Sequence, residues 1–411
     1  MPRFMDYVSE KIRGARAPRG SVNMKRSHEQ SLDCANVVFL IPELRDTILS
    51  QAVVRGVFHT YAALLCVSHG FYAATSQLIG VHFDSKKLLA HPQLAYHYTG
   101  AELNIASLHS QLPVSHDNVL GRLTRLTKLD LAGNRKISDY GISTLTNLTS
   151  LVLDENQRIN GGAVACLPSL TKLSLRCNMW IDGDDLRRLP TLTSLNLCNT
   201  RRVDNGTVVT LTQLRRLSLD GDRYVTNYAL QEMTFLKHLD LTYNHTIQDR
   251  VLKNMTQLTG LNIALGRHIT DDAVSRLIGL TRLSLEHDHN ITNAALRQLT
   301  RLERLNLCSN RSITNTGLEP LTRLRELSLK DNDRINAAIM RQLPHLEKLN
   351  IQVDITDITL GHLTHLERME LTYDAINLKM KKDVEAFVAA NVEKLEYIRL
   401  DADNNVLAWR M

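Results

Sequence analysis

The chain has 411 residues, 49 Lys and Arg against 43 Asp and Glu (net charge +6), and 43% hydrophobic but only 5% aromatic residues. That length exceeds one ordinary core, so several domains or a repeat array is required, and the mild basic excess favours acidic partners without naming one. Six cysteines form no C-x-x-C pair and no Cys/His cluster at zinc spacing, which argues against a zinc module and for small buried hydrophobes in a reducing compartment. The first residues lack the apolar core of a secretory signal, and no apolar run reaches 18 residues. The expectation is a soluble intracellular protein, cytoplasmic or nuclear, without membrane association.

Residues 1–36 read as a flexible basic tail in which Arg13, Arg16, Arg19, Lys25 and Arg26 alternate with small residues; the sharper alternative is a nuclear-import or phosphate-contacting arm. Residues 37–85 change texture, with longer apolar runs at helical spacing. Leu40, Pro42, Leu44 and Ile48 precede a second cluster, Leu65, Val67, Ser68, His69 and Phe71. This resembles the F-box, which opens on L-P-x-E-L and later reads V-C/S-K/R-x-W/F. The resemblance implies docking on the linker subunit of a cullin-type ubiquitin ligase through Leu40, Pro42, Leu44, Ile48, Leu65, Val67 and Phe71. The alternative is a plain helical cap on the C-terminal three quarters of the chain. Residues 86–102 form a connector.

From residue 103 to 378 one unit repeats. The template L-x-x-L-x-L begins at Leu126 and recurs every 22 residues to Leu346, without slipping. Looser units flank it: Leu103/Ala106/Leu108 before, Leu366/Met369/Leu371 and Leu395/Ile398/Leu400 after. The count is fourteen short strands, forming a sheet roughly 65 Å long at strand spacing. Three residues after the last strand leucine stands an amide, as at Asn134, Asn156, Asn178, Asn244, Asn310 and Asn332, with Asp222, Asp288 and Asp354 elsewhere. Stacked amides can satisfy buried loop backbone; the aspartates keep the acceptor and lose the donor. An aliphatic such as Ile137 or Ile313 comes next, then a capping signal such as Ser138-Asp139, Thr270-Asp271 or Thr292-Asn293, then two core positions such as Leu318 and Leu321. Residues 379–411 read as a cap: a helix over Asp383 to Lys394, a final strand, and apolar Val406, Leu407 and Trp409.

This pattern resembles the leucine-rich-repeat family over about three quarters of the chain, and the stretch N-x-x-I-T-D-x-x-L-x-x-L is similar to the subtype found in F-box proteins, with Asn at its usual cysteine. The fold class implied is α/β: a leucine-rich-repeat solenoid with a curved parallel sheet of 22-residue repeats and a small all-α N-terminal domain.

The search for chemistry yields little. His287-x-His289 and His362-x-x-His365 lack a third ligand, and there is no G-x-S-x-G, phosphate loop or H-E-x-x-H, so neither catalytic residue, cofactor nor metal is expected. The informative face is the concave sheet, where the residue before each middle leucine points outward. That row holds Lys128, Lys172, Arg216, His238, Arg282, Arg304, Lys348 and Arg368, beside a row of Ser and Asn. Either these bases pair with Asp130, Asp240, Glu286 or Glu326 and merely keep the sheet soluble, or they hold an acidic protein segment. Nucleic acid is disfavoured on these rows because no aromatic side chain falls there to stack bases. A second basic line, Arg135, Arg158, Arg202, Arg223, Arg267 and Arg334, runs along the loop edge. The reading is a non-catalytic interaction scaffold, an F-box/leucine-rich-repeat adaptor recruiting substrate to a ubiquitin ligase. The alternative is a structural subunit of a large assembly.

Overall fold

Each L-x-x-L-x-L motif forms a strand of three or four residues whose middle leucine turns inward, as strand side chains alternate. The computed structural model describes residues 102–104, 116–121, 124, 126–351, 363–371, 397–400 and 405–409. The basic tail, the F-box-like segment, nearly all of the connector and the expected helix over Asp383–Lys394 lie outside these residues.

Among the described residues fifteen strands form one sheet in strict chain order, from β1 (Glu102–Asn104) and β2 (Lys128–Asp130) onwards. Successive strands pair in parallel with a fixed offset: Leu129 faces Leu151, Leu151 faces Leu173, and so on to Leu327 facing Leu349. The offset then changes, Leu349 facing Met369 and Met369 facing Ile398, as the looser C-terminal motifs require. Two sequence expectations need correction. At the N-terminal end Leu103, not Ala106, pairs with Leu129, so that unit begins three residues earlier than the motif suggested. The Leu103-Asn104-Ile105 triplet matches Leu261-Asn262-Ile263 and Leu349-Asn350-Ile351, which makes this frame the better hydrophobic fit. At the other end β14 (Tyr397–Leu400) is joined by an antiparallel strand, β15 (Asn405–Trp409), so Val406–Trp409 adds a fifteenth strand.

Inside, stacked leucines from adjoining rungs bury one another: Leu129, Leu151, Leu173 and their successors are 3% exposed or less. Each such burial is worth about 1.5–3 kcal/mol, realised only when both neighbouring rungs are in place. The corner amides from Asn156 onwards behave as expected, whereas Asn134 in the first such rung accepts two loop N–H groups but leaves Nδ2 without a partner among the described residues. Asn310 donates from Nδ2 to the carbonyls of Leu285 (3.1 Å) and Asp288 (2.6 Å) and accepts at Oδ1 from the N–H groups of Ser312 and Ile313 (3.0 Å each). Asn156, Asn178 and Asn244 repeat the pattern. Asp222 and Asp288 accept the two loop N–H groups but leave Oδ2 buried and unpartnered, and burial raises both carboxyls above the usual range. Asp354 lies outside the described residues.

The residue before each corner position, whether that position holds Asn, Asp, Thr200 or Gly266, is left-handed. Gly133 and Gly221 hold this position in two rungs, while Glu155, Cys177, Asn199, Tyr243, Leu265, His287, Ser309 and Asp331 adopt it with φ between 51° and 55°. Its N–H bonds the next rung's carbonyl, for example Glu155 N–H to Arg176 at 2.8 Å, which offsets the backbone strain.

Opposite the sheet, helices of four or five residues follow the expected caps at Thr270 and Thr292, whereas the Ser138 hydroxyl donates to Asp117 and makes no cap bond; Asp182 closes a full capping box. A second ladder, unforeseen in the sequence, joins these segments. The acidic or amide side chain at the first helical position accepts the N–H of the next rung's cap, as in Asp249 with Thr270, Asp271 with Thr292 and Asn293 with Thr314. Glycine breaks it twice. A Cβ at Gly161 would sit 1.6 Å from Asp185 Oδ2, and one at Gly183 would sit 1.9 Å from Thr207 Oγ1.

Candidate functional site

Because the middle leucines face the core, their neighbours line the opposite face of the sheet. There an open trough of about 1380 Å³ runs from Ser194 to Glu370. Of the eight bases in the row, Arg216, His238, Arg282, Arg304, Lys348 and Arg368 line this trough, whereas Lys128 and Lys172 are exposed outside it.

The charges are unevenly balanced. Glu326 sits between Lys348 (Nζ 2.6 Å) and Arg304 (Nε 3.4 Å) and neutralises part of that end. Two other carboxylates expected to do the same accept hydrogen bonds from polar neighbours: Asp240 accepts from Thr242 and Ser218, and Glu286 accepts from Asn306. The Arg216 side chain makes no hydrogen bond or ion pair among the described residues and stands exposed at the other end of the cationic run.

At the centre Gly260 occupies the row position between His238 and Arg282. The missing side chain lets Arg282 Nη2 lie 3.0 and 2.9 Å from the two ring nitrogens of His238 over the buried glycine; an added Cβ would meet His238 Nδ1 at 2.6 Å. Burial first, then the charges of Arg282 and Arg216, push His238 down to about 4. The row thus carries a neutral histidine at neutral pH, where the sequence suggested another base. Burial and the neighbouring Arg216 and Arg304 also lower Arg282. Sequence periodicity marks Gly260 only as a gap; its role needs both neighbours in view.

One expectation about these rows changes at the C-terminal end. Tyr397 pairs with Arg368 in the same row, so an aromatic residue does occupy it.

Elsewhere, His287 and His289 are exposed while Asp288 between them is buried and bonded to its own loop. The Cys198 thiol, bonded to Asp220 Oδ2 at 3.1 Å, is pushed up to about 12, chiefly by burial and then by that carboxylate; it is a protonated corner residue, not a nucleophile. Among the described residues no cluster of His, Cys, Asp and Glu could hold a metal ion, and no helix is long and apolar enough to cross a membrane.

A family model described as a leucine-rich repeat region matches residues 183–406, more than half of the chain, and a second leucine-rich-repeat model matches residues 123–145. The chain belongs to the leucine-rich-repeat family. Solved structures resemble it at low identity. An internalin, InlF, from Listeria monocytogenes is 24% identical over 84% of this chain and 97% of its own (TM-score 0.42). A leucine-rich-repeat protein of Leptospira interrogans is 21% identical over 78% and 100% (TM-score 0.39). A chain of the yeast Rad7–Elc1 complex is 18% identical over 86% and 97% (TM-score 0.45). No curated protein sequence matches the chain. In leucine-rich-repeat terms, the trough is the concave face of the array, and its outward rows are the variable positions that the repeat leaves free.

Proposed function

We propose that this leucine-rich-repeat protein is a non-catalytic scaffold that holds an acidic segment of a protein partner along the trough. The observation that carries this reading is the run Arg216, Arg282 and Arg304, set among small Ser and Asn side chains and only partly neutralised by Glu326. Aligned like charges raise the local field and the association rate even where each pair alone is worth little. Such a surface binds; it offers no activated nucleophile or acid–base pair.

On the finer level, the F-box resemblance of Leu40, Pro42, Leu44, Ile48, Leu65, Val67 and Phe71 supports the role of a substrate-recruiting adaptor of a cullin-type ubiquitin ligase. Co-purification of the tagged full chain from its native host is the test. Recovery with cullin-ligase subunits, lost when Leu44 and Val67 are both changed to Lys, supports the adaptor. Stoichiometric recovery in a large particle without those subunits sinks it and assigns the chain to a structural assembly.

A further inference from the structure

The trough is not the most cationic line on the molecule. Six and seven residues after each middle leucine, the corner loops of ten successive rungs, from Leu129 to Leu327, turn two side chains to the edge of the array. These positions hold nine Lys or Arg and one carboxylate, Asp333. None of the nine makes a side-chain hydrogen bond or ion pair among the described residues. The concave row keeps carboxylates in contact; this edge does not.

Large exposed apolar groups concentrate on the same loops. Trp180 is 53% exposed, Tyr224 48% and Tyr243 52%, although the repeat needs none of them for its core. Along one row the order is Arg158, Trp180, Arg202, Tyr224, a cation and a ring on alternate rungs. At strand spacing the two rings stand about 10 Å apart with a guanidinium between them. The rings continue into the next loops: Tyr243 packs edge-on against His245 at 4.9 Å, and His245 against His268 at 6.1 Å. His245 is lowered by burial and then by Arg267, His268 and Arg223, in keeping with an unbalanced positive edge.

We propose that this corner edge binds single-stranded nucleic acid, the arginines meeting phosphates and Trp180, Tyr224 and Tyr243 stacking bases. A protein interface also favours Trp, Tyr and Arg, but gathers them in a compact patch around a dry centre. Here they form a line one or two side chains wide and roughly 45 Å long at strand spacing. A repeating anion with a flat face on every unit fits that geometry, and stacking tolerates any base. The aromatic groups missing from most of the concave rows are found on this edge.

The test is titration of the full-length protein with labelled oligouridylate and oligodeoxythymidylate, read by anisotropy at about 50 and about 200 mM salt. We expect binding to one or both strands, with both the ribose and the deoxyribose form bound if phosphate and base alone are read. Changing Trp180 and Tyr224 together to Ala should weaken binding at least tenfold with an unchanged salt slope, while Trp180→Phe should bind as the parent does. Arg202→Glu with Arg223→Glu should weaken binding and flatten the slope. Arg282→Glu with Arg304→Glu, in the trough, should leave it unchanged. Thermal melting must show each variant folded; a second pair, Tyr243→Ala with Arg267→Ala, serves if one is not. No binding by the parent, parental affinity in the folded double alanine variant, or equally tight binding of a duplex overturns the proposal. Equally tight binding of polyglutamate overturns it in favour of an acidic protein.

Discussion

Arg282 reaches over Gly260 to His238, its Nη2 lying 3.0 Å from one ring nitrogen and 2.9 Å from the other. A protonated ring would set a second positive charge beside the guanidinium, so the arrangement favours neutral histidine. Burial first, and then the charges of Arg282 and Arg216, hold His238 down at about 4, below its ordinary 6.5. Between those values the unfolded chain binds more protons than the folded one, so stability rises with pH through that window and is lost as pH falls toward 4. Because the ring is partly exposed, solvent screening keeps the effect near 1 kcal/mol. His238→Gln should flatten the difference in melting temperature between pH 7 and pH 4.5 relative to the parent; an identical pH dependence in both would refute the assignment.

Gly260→Ala tests the same geometry from the other side. The new Cβ, 2.6 Å from His238 Nδ1, meets the end of a side chain that can turn away, so folding should lose no more than about 1 kcal/mol. The histidine should move into solvent, and its titration, followed by NMR, should climb back toward the ordinary range.

The corner ladder predicts opposite signs at equivalent positions. Asn310→Ala strands the carbonyls of Leu285 and Asp288 and two N–H groups, and should cost about 1–3 kcal/mol in chemical denaturation. Asp288→Asn replaces an unpartnered buried Oδ2 with a donor and should stabilise by about 1 kcal/mol. That gain belongs to neutral pH. Burial has raised Asp288, so acid protonates the parent and removes its penalty, and the advantage of the amide should shrink as pH falls through the carboxylate range.

For the trough, reversing Arg282 and Arg304 to Glu should slow association with an acidic partner and flatten its salt dependence, with little change in folding. Glu326→Gln should do the reverse, since it releases Lys348 and Arg304 from their shared carboxylate. Stopped-flow association at two salt concentrations separates the outcomes; equal rates for all three proteins would show the row to be a solvated face.

Much of this architecture is legible in the sequence because one hydrophobic period governs it. Leucines at fixed spacing dictate the rungs, and Asn156 or Asn310 announces the corner, since only an amide both donates and accepts there. Legibility fails where the rule is conformational. The left-handed position is filled by Glu155, Tyr243, Leu265 and His287 alike, so no residue type betrays it. The outer ladder of Asp249 and Asp271 reads in sequence as ordinary helix capping, because its partners lie a rung away. In the candidate site, the basic row could be counted, but its division could not. Which bases share the trough, and that His238 is neutral, depend on Gly260 and on packing across rungs.

The fit between Gly161 and Asp185, and between Gly183 and Thr207, bears on how such an array can evolve. Elsewhere the pairing is inverted: Asp249 lies opposite Ala273, Asp271 opposite Ala295, and Asn293 opposite Gly317, whose own Cβ would meet Asn293 Oδ1 at 2.4 Å. These seams set a large residue against a small one, with the large partner changing sides at the two glycine rungs, whereas Asn227 falls opposite Val251 and Asn315 opposite Ile339. The units therefore share a period without being interchangeable bricks. Duplicating or deleting one within the run that shares a polarity preserves the match. Deleting the Asn205 rung would set Gly183 against Ala229, two small residues, and duplicating it would set Asn205 against Thr207, two large ones, so growth and loss of rungs should be confined to the stretches on either side.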